Sequence, residues 1–472
     1  MATEDKFIVA IELGSSKVTG IAGRKQPDGA LQVLAFAQEP ASAFMRKGRI
    51  NNIDKMKSCI KNIKERLEKS LKKSISCTYI GIGGMGMHTV ANSVVRNFTE
   101  KTVISEDIVG TIQDENLQSQ PADRDILETV IQSYKLDAQT LLEPVGVPAE
   151  SIEGHFLNII TKREVSDHIE ECVEAAGMSI AGVPITVLAL ANEMVNDVEK
   201  HSGCVFVDMG AETTSVAVFK NNILRHLAVI PLGGNNITRD IASMSISEPE
   251  AERLKRTYGE AIYDDLEEPR NNIVTEGGLS FPFEEFAGHV EARQEEIIRN
   301  VAKQVELSKY TKNQLLGGII ITGGASNMKG IEKAFAKYTD FTKIQVVKTI
   351  RTQVRFASGV PTFNQDGSCN AAIVLLDKGT INCCGGELES PQDIFKAKQE
   401  AEARAAAEKA AAEKAAEDSA AEEERKKQEE AEKKAQEKAA RAKRRGEKMK
   451  KFFSRFSNWA NDMVGDKDNP ED

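Results

Sequence analysis

The sequence contains no long hydrophobic run. No apolar stretch in its 472 residues approaches the roughly 18 to 20 residues that a membrane-spanning helix needs. The first residues, MATEDKFIVAIELGSS, are acidic and pass directly into a strand pattern, without the basic segment and apolar core of a signal peptide. We therefore expect a cytoplasmic protein without spanning helices.

Cysteine, histidine and net positive charge are also scarce. The seven cysteines form no CxxC pair and no zinc-ligand spacing with the six histidines. This argues against a disulfide framework, a zinc site and a histidine-based catalytic centre, and it fits a reducing compartment. The formal net charge of −10 argues against general electrostatic binding of nucleic acid.

What is present, over residues 1 to about 385, is an alternation of short strands and helices. Apolar runs such as FIVAIEL, CVFVDMG and GGIIITGG are short and bounded by glycine, as buried strands are. Between them lie helical patterns such as NIDKMKSCIKNIKERLEKSL. The alternation predicts an α/β protein with mixed sheets.

Two segments share one plan, which indicates two related halves. IVAIELGSSKVTGIAG and VFVDMGAETTSVAVF each give an apolar strand, a carboxylate, one residue, a glycine, hydroxyl residues and a second strand. Glu12 corresponds to Asp208, and Gly14 corresponds to Gly210. A repeat about 200 residues apart suggests duplicated half-domains rather than a solenoid.

The turns of both segments have the composition of an anion-binding site. Glycine lets backbone amides approach a phosphate closely, and Ser15, Ser16 and Lys17 add donors. A carboxylate beside such a turn, here Glu12, would hold Mg²⁺ through water. The second turn supplies Asp208, Gly210, Thr213 and Thr214. Facing each other, the two turns would clamp a polyphosphate, although either motif alone is more often an ordinary glycine turn.

A third glycine turn follows the strand GIIIT. In GIIITGGASNMKGI the pair Gly323-Gly324 precedes Ala325, Ser326 and a helix-like stretch. A double glycine between a strand and a helix lets a nucleoside or a phosphate lie against bare backbone. We interpret it as a third part of the same ligand site.

In order and spacing, the three turns resemble the phosphate-1, phosphate-2 and adenosine motifs of the actin-like ATPase superfamily. PITVLALANEMVND is similar to its connecting helix, and PLGGNNITRDIA with EAERLKRTYG is similar to the turn and helix that contact phosphate and adenosine. The resemblance implies two ribonuclease-H-like halves around a cleft that binds ATP and Mg²⁺. The implied ATP-binding residues are Gly14, Ser15, Ser16, Lys17, Asp208, Gly210, Thr213, Thr214, Gly233, Gly234, Asn235, Glu252, Lys255, Gly323, Gly324, Ala325 and Ser326, with Glu12 and Asp208 as the magnesium carboxylates.

Within the superfamily the chain resembles the bacterial cell division family FtsA. YIGIGGMGMHTVANSVV and the roughly 70 residues after it stand where that family carries a small inserted domain. The resemblance covers about residues 5–385 and 448–464. It implies half 1 in 1–85 and 164–200, an inserted domain in 86–163, half 2 in 201–380 with a subdomain at about 233–305, a tether in 386–447, an amphipathic helix in 448–464 and an acidic tail in 465–472. A return of the chain to half 1 near residue 380 stays open.

One residue departs from the family pattern. The family usually has aspartate in the first turn, where this chain has Glu12. The extra methylene moves the carboxylate, and Mg²⁺ is strict about its coordination geometry. We expect ATP to bind mainly as an assembly ligand, leave weak hydrolysis open, and assign no catalytic residue.

The composition changes abruptly between Glu400 and Ala440. Only Ser419 there lies outside Ala, Glu, Lys, Arg, Gln and Asp, and the segment has neither Gly nor Pro. High helix propensity with little apolar surface predicts a semi-rigid helical tether, with a disordered linker as the alternative.

The tether leads into KMKKFFSRFSNWANDMV, which holds the only tryptophan of the chain. On a helix, at about 100° per residue, its large apolar side chains share one face. The segment is too short and too polar to span a bilayer, so we predict a helix that lies on an anionic membrane surface, with docking onto the core as the alternative. The predicted membrane-binding residues are Met449, Phe452, Phe453, Phe456, Trp459 and Met463, with the basic residues Lys448, Lys450, Lys451 and Arg455.

The FtsA resemblance implies an adaptor on the inner face of the cell membrane, peripheral, at the division site. Such a protein forms filaments with copies of itself, ties the tubulin-like FtsZ to the membrane through contacts on the half containing 240–300, and recruits later division proteins through the inserted domain. The alternatives are a pilus-assembly scaffold and a kinase of the same superfamily. A kinase would need a catalytic base that no motif here locates.

Overall fold

The computed structural model describes residues 6–263, 270–363 and 366–387. Met1–Gly386 belong to one compact unit. The tether from residue 388 onward, the predicted terminal helix and the acidic tail lie outside the described residues, so what was predicted for them stays a prediction.

Strands and helices alternate through the described residues. The strands are β1 (Ile8–Leu13), β2 (Lys17–Lys25), β3 (Leu31–Pro40), β4 (Met45–Arg46), β5 (Arg49–Ile50), β6 (Lys73–Ile75), β7 (Cys77–Gly81), β8 (His88–Val103), β9 (Arg124–Leu136), β10 (Gln139–Leu141), β11 (Pro148–Lys162), β12 (Ser179–Gly182), β13 (Cys204–Met209), β14 (Thr214–Lys220), β15 (Ile223–Ile230), β16 (Ile273–Val274), β17 (Ser280–Phe281), β18 (Gly318–Thr322), β19 (Ile344–Val346), β20 (Val354–Phe356) and β21 (Cys384–Glu387). The helices are α1 (Ile53–Leu71), α2 (Glu106–Gln118), α3 (Arg163–Ala175), α4 (Thr186–Met194), α5 (Asp197–Ser202), α6 (Gly234–Ala242), α7 (Glu248–Tyr258), α8 (Phe283–Leu307), α9 (Ile331–Thr339) and α10 (Asn370–Lys378).

Two sheets repeat the same topology, and each defines one half of the molecule. In half 1 the strand order is β12-β7-β1-β2-β3, and in half 2 it is β19-β18-β13-β14-β15. In each, the first strand of the half (β1 or β13) pairs antiparallel with the next one and parallel with the following sheet strand (β7 or β18). The predicted duplication into two related halves is confirmed.

The helices form where apolar side chains recur at helical spacing, and they cover the sheets. In α1 the buried residues are Met56, Cys59, Ile60, Ile63 and Leu67, which lie on one face. The Asn52 side chain accepts a hydrogen bond from the Lys55 N–H and caps the start of the helix, and Lys72, with φ of 55°, ends it. Because α1 and α10 both pack on half 1, the central residues of β1 and β2 are buried.

A small domain is inserted into half 1 between β7 and α3. Its strands follow the order β10-β9-β11-β8, and α2 packs on them over a core that includes Ile112, Tyr134 and Phe156. The end of β8 bridges to β15 at His88 and Ala228, which attaches this domain to the edge of half 2. The predicted insertion of a small domain at this point is confirmed.

The chain returns to half 1 inside the range 201–380 predicted for half 2, a possibility that the sequence leaves open. Strand β20 already pairs with β3 of half 1, and α10 then packs against β1, β2 and α4. The reason is that the apolar face of α10 is needed to cover the half 1 sheet, which the sequence pattern alone does not show. Half 2 also carries α6, α7 and α8 with the short β16–β17 pair, and their buried apolar side chains share one core with the half 2 sheet.

We expect opposite effects from adding a methyl group at two glycines. A Cβ at Gly20 in β2 would lie 2.3 Å from Ile63 Cγ2 of α1, so Gly20→Ala should cost roughly 1 to 3 kcal/mol through overpacking. A Cβ at Gly110 in α2 meets nothing within 4 Å, so Gly110→Ala should stabilise by about 0.5 to 1 kcal/mol. Urea unfolding of both variants measures the difference, and a tolerated Gly20→Ala would contradict the close packing of α1 on β2.

Candidate nucleotide-binding cleft

A cleft of about 1490 Å³ separates the two halves, and both repeated turns line it. Glu12 in β1 and Asp208 in β13 stand at the same place in their strands, one residue before the strand ends. Their parallel neighbours at this level are Gly81 and Thr322. Because β1 and β13 occupy equivalent positions in two equivalent sheets, their carboxyl ends bring both carboxylates to one site.

The β1–β2 turn, called hairpin 1, is tight enough to require glycine. A Cβ at Gly14 would lie 2.6 Å from Lys17 O and 2.9 Å from Glu12 Oε1. The buried Ser15 hydroxyl accepts a hydrogen bond from the Gly48 N–H at 2.8 Å. Hairpin 1 is therefore both open towards the cleft and supported from the loop before α1.

The β13–β14 turn, called hairpin 2, repeats this geometry. The Gly210 N–H donates to Thr213 O at 2.8 Å, and a Cβ at Gly210 would lie 3.0 Å from the same oxygen. Thr213 lines the cleft. The Thr214 side chain is buried and donates to Leu232 O at 2.9 Å, so it holds the hairpin from behind.

The third turn closes against hairpin 2. Gly323 has φ of +92°, and a Cβ there would lie 2.5 Å from Asp208 Oδ1, so only glycine fits. A Cβ at Gly324 meets nothing closer than Ser368 Cβ at 3.9 Å, which leaves this side of the turn open to the cleft. The buried Ser326 hydroxyl donates to Gly323 O at 2.7 Å and fixes the turn.

The second glycine pair packs directly on hairpin 2. The Gly234 N–H donates to Gly210 O at 3.0 Å, and the Asn235 N–H donates to Ala211 O at 2.7 Å. A Cβ at Gly233 would lie 2.6 Å from Gly210 O. Gly233 thus lies behind the wall, whereas Gly234 and Asn235 line the cleft.

The predicted pair on α7 forms a partly buried network at the edge of the cleft. Lys255 Nζ lies 2.6 Å from the Glu252 carboxylate and donates to the Thr238 hydroxyl at 2.8 Å. Burial lowers the pKa of Lys255, against the opposing effect of Glu252. Burial acts to raise the pKa of Glu252, but Lys255 and the Thr238 hydroxyl bring it below its usual value. Both groups are therefore held in defined positions beside α6.

The fold brings most of the predicted nucleotide residues to this one cleft. Those that line it are Glu12, Gly14, Ser15, Ser16, Lys17, Asp208, Gly210, Thr213, Gly234, Asn235, Glu252, Lys255, Gly323, Gly324 and Ala325. Thr214, Gly233 and Ser326 lie behind the wall and support the turns.

Several cleft residues were not identified from the sequence, among them Arg46, Glu212 and Asp366. Glu212 lies inside the second repeated motif, but the motif gives no sign that its side chain is buried. Burial acts to raise the pKa of Asp366, but Ser368 and Lys17 bring it below its usual range. No local pattern marks Asp366, because the chain brings it to the cleft only on its return to half 1.

The two carboxylates of the repeated motifs are poorly solvated. Burial raises the pKa of Glu12 to about 7, with Lys17 acting to lower it and Asp208 to raise it. Burial raises the pKa of Asp208 to about 6. A cation between two such carboxylates stabilises their charged forms.

These features fit a polyphosphate nucleotide with Mg²⁺, which typically takes one or two carboxylates together with phosphate and water. The Thr322 hydroxyl, 1% exposed on the cleft wall, has no hydrogen-bond partner among the residues described. An orphaned hydroxyl beside glycine-lined turns suits an anionic ligand. Over the same part of the chain, no helix is long and apolar enough to cross a membrane, and no three metal-ligating side chains gather.

Comparison with known proteins places the chain in a family. The family model "Cell division protein FtsA" matches residues 205–371, and the model "SHS2 domain inserted in FTSA" matches residues 84–161. The chain belongs to the FtsA family. The FtsA protein of Porphyromonas gingivalis is 28% identical over 71% of this chain and 72% of its own length. The FtsA protein of Escherichia coli K12 is 25% identical over 82% of this chain and 94% of its own length.

A solved structure can be compared with the chain at the level of the fold. A solved PilM-PilN type IV pilus biogenesis complex matches with a TM-score of 0.53 and 14% identity, covering 78% of this chain and 97% of that chain. At this identity the match concerns the fold alone. The predicted actin-like ATPase fold with an inserted small domain is confirmed, and the inserted domain is the SHS2 domain of FtsA proteins.

The raised pKa of Glu12 predicts a pH-dependent stability of the ligand-free protein. Because the folded-state pKa of about 7 exceeds the usual value of 4.5, protonation of Glu12 stabilises the folded protein, fully below pH 4.5, and this stabilisation is lost as the pH rises through 7. The glutamine side chain of Glu12→Gln does not titrate, so this variant should be more stable than the parent protein at pH 8. The expected difference is up to roughly 3 kcal/mol, at about 1.4 kcal/mol per pKa unit.

Urea unfolding in EDTA between pH 5 and pH 8 measures this gap. Glu285→Gln, at an exposed position of α8, is the matched control and should track the parent protein. A gap between Glu12→Gln and the parent that fails to widen with pH would show that Glu12 is not a desolvated carboxylate.

Proposed function

We propose that this chain is an ATP-binding cell division protein that assembles on the inner face of the membrane and ties the tubulin-like FtsZ to it. The ATP-binding part of this proposal rests on hairpin 1 and hairpin 2, the two carboxylate–glycine turns that face one cleft from two equivalent sheets. Membership of the FtsA family supports the division role.

Different residues of the cleft would bind different parts of the nucleotide. The backbone N–H groups and the hydroxyls of hairpins 1 and 2 would hold the phosphates, and Lys17 would add a positive charge. The open side of Gly324 and the Glu252–Lys255 pair would hold the adenosine. Glu12 and Asp208 would hold the metal ion through water. When bound, Mg²⁺·ATP would supply a cation and anionic oxygens to groups of both halves, and this would favour the closed state.

The α6–α8 region offers a surface for the FtsZ contact that the family resemblance implies. A shallow groove there is lined by Asp240 of α6 and by residues of α8. Arg293 of α8 forms an ion pair with Asp240 across this groove at 2.6 Å. The groove lies within the 240–300 region, and a partner segment bound in it would contact both helices at once.

Membrane attachment rests on the sequence of residues 448–464, beyond the described part. One short amphipathic helix gives modest and reversible binding. A filament that carries many such helices would bind firmly, because each further attachment is intramolecular. Assembly of the body and retention at the membrane would therefore depend on each other. The sequence relatives are cell division proteins, which favours this role over the pilus scaffold and the kinase.

Gly324 gives a test of the nucleotide site. The protein has room for a side chain there, and the side chain would project into the cleft. Gly324→Val should fold normally and weaken binding of a fluorescent ATP analogue by at least about tenfold, since each 1.4 kcal/mol of lost contact or clash is tenfold in affinity. Gly324→Ala is the matched control and should bind nearly as the parent does. If a folded Gly324→Val protein binds the ATP analogue with unchanged affinity, the adenosine does not bind at this turn.

The predicted anchor is tested with two charge changes on each helix face. Phe453→Glu with Trp459→Glu should abolish co-sedimentation with vesicles that contain anionic lipid, because both changes lie on the apolar face. Ser454→Glu with Ser457→Glu adds the same charge on the polar face and should retain most of the binding. Equal binding by both double variants would mean that the terminal segment is not the anchor.

A further inference from the structure

The β4–β5 hairpin ends in a two-residue turn, Lys47-Gly48, that lies between hairpin 1 and hairpin 2. Both residues have positive φ, 50° and 72°, as two-residue turns of the primed type require. Gly48 suits this conformation, whereas Lys47 adopts it only because its surroundings hold it there. In this conformation the Gly48 N–H donates to Ser15 Oγ, and the Lys47 N–H donates to Glu212 Oε2, both at 2.8 Å.

The turn itself is fixed to half 1. The Met85 N–H donates to Lys47 O at 2.8 Å, and Arg49 Nε donates to Met85 O at 2.7 Å. The backbones of Gly48 and Gly84 approach so closely that a Cβ at Gly84 would lie 2.3 Å from Gly48 O. These contacts tie the turn to the Gly84–Met85 segment that follows β7 of half 1.

Its acceptor, Glu212, belongs to hairpin 2 of half 2. The residue is only 4% exposed. Besides the Lys47 N–H, its carboxylate accepts a hydrogen bond from the Arg239 guanidinium of α6 and lies 3.6 Å from Arg46 Nη1. Two of these partners, Lys47 and Arg46, come from half 1, and Arg239 comes from half 2.

We propose that Glu212 is a positioning residue that clasps hairpin 1 and hairpin 2 together across the cleft through the Lys47-Gly48 turn. The clasp sets the spacing of the two phosphate-binding turns and slows the escape of bound nucleotide. The second statement rests on the proposed nucleotide function, whereas the clasp itself does not.

The clasp follows from the contacts that would break if the two halves separated. Opening removes the Lys47 N–H and Arg46 from Glu212, but it leaves the Arg239–Glu212 and Gly48–Ser15 contacts intact, because each of these lies within one half. A buried carboxylate that loses two of its partners is costly unless water reaches it. The closed spacing is therefore favoured by the chain itself, and a nucleotide leaves only when this contact opens.

Nucleotide release is the first measurement. A preformed complex of the full chain with Mg²⁺ and a fluorescent ATP analogue is chased with excess ATP, and the release rate is followed by stopped flow. Glu212→Gln should raise this rate by at least about tenfold and leave the association rate nearly unchanged, as loss of a buried charge contact does. Arg46→Gln, an exposed partner, should raise it less.

Glu291→Gln is the matched control. Glu291 also accepts a backbone N–H, from Tyr263 at 3.1 Å, and a lysine, Lys337 at 3.0 Å, but all of these groups lie within half 2. A general loss of stability would speed release in both variants. If the clasp exists, Glu212→Gln speeds nucleotide release and Glu291→Gln does not, when the two variants have the same melting temperature.

Hydrogen exchange in the nucleotide-free protein is the second measurement, resolved to single amides. In Glu212→Ala the Lys47 amide should lose protection, and the Gly48 amide, bonded to Ser15 within half 1, should keep it. If Glu212→Ala does not fold, the same comparison is made in Glu212→Gln, where a weaker acceptor should still lower the protection of Lys47 alone.

The outcomes are distinct. Unchanged protection of Lys47 in a folded variant overturns the clasp. If the Lys47 amide loses protection but the nucleotide release rate is unchanged, the contact exists without retaining nucleotide, and the proposal as stated is wrong. If the parent chain binds no ATP analogue, the proposed nucleotide function fails, while the exchange result still decides whether the clasp exists.

Discussion

Desolvation of two half-buried carboxylates at equivalent strand ends is the main electrostatic constraint on the cleft. Glu12 and Asp208 lie at the ends of β1 and β13, where burial raises both pKa values and Lys17 offsets part of the effect for Glu12. Such a site is costly for the folded protein alone. It becomes favourable with a ligand that brings a cation together with its own anionic oxygens, and Mg²⁺ with a polyphosphate has that composition.

A second layer of residues keeps the turns around these carboxylates in shape. Thr214, Gly233 and Ser326 do not face the cleft, yet each bonds to or packs against a turn that does. Gly323 leaves no space for a side chain beside Asp208. The glycines therefore serve two purposes: some open the wall to a ligand, and others let one wall segment pack on the next.

The two halves contact each other through side chains as well as through the chain connections. Glu212 joins hairpin 2 to the turn before α1, and Asp366 and Ser368 reach the cleft from the segment before α10. The spacing of the halves thus depends on groups that adjoin the ligand site. In the proposed function, nucleotide binding, closure of the cleft and assembly would be coupled through these contacts. Assembly would in turn strengthen membrane binding, because each tether carries a membrane anchor.

The duplicated strand–turn–strand units, the place of the inserted domain and most of the cleft residues could be predicted from the sequence. These follow from local patterns, because strand burial, glycine turns and helical spacing are properties of a few neighbouring residues. Glu12, Gly14, Asp208 and Gly210 could be placed in this way.

The residues that approach the cleft from elsewhere in the chain became apparent in the folded structure alone. Arg46, Glu212 and Asp366 line the cleft from distant segments, and β20 pairs with β3 before α10 packs on the half 1 sheet. The roles of Thr214, Gly233 and Ser326 behind the wall also depend on which side of a turn faces a neighbour. Such contacts leave no periodic pattern in the sequence, since burial and charge pairing between remote segments are set by packing rather than by local conformation.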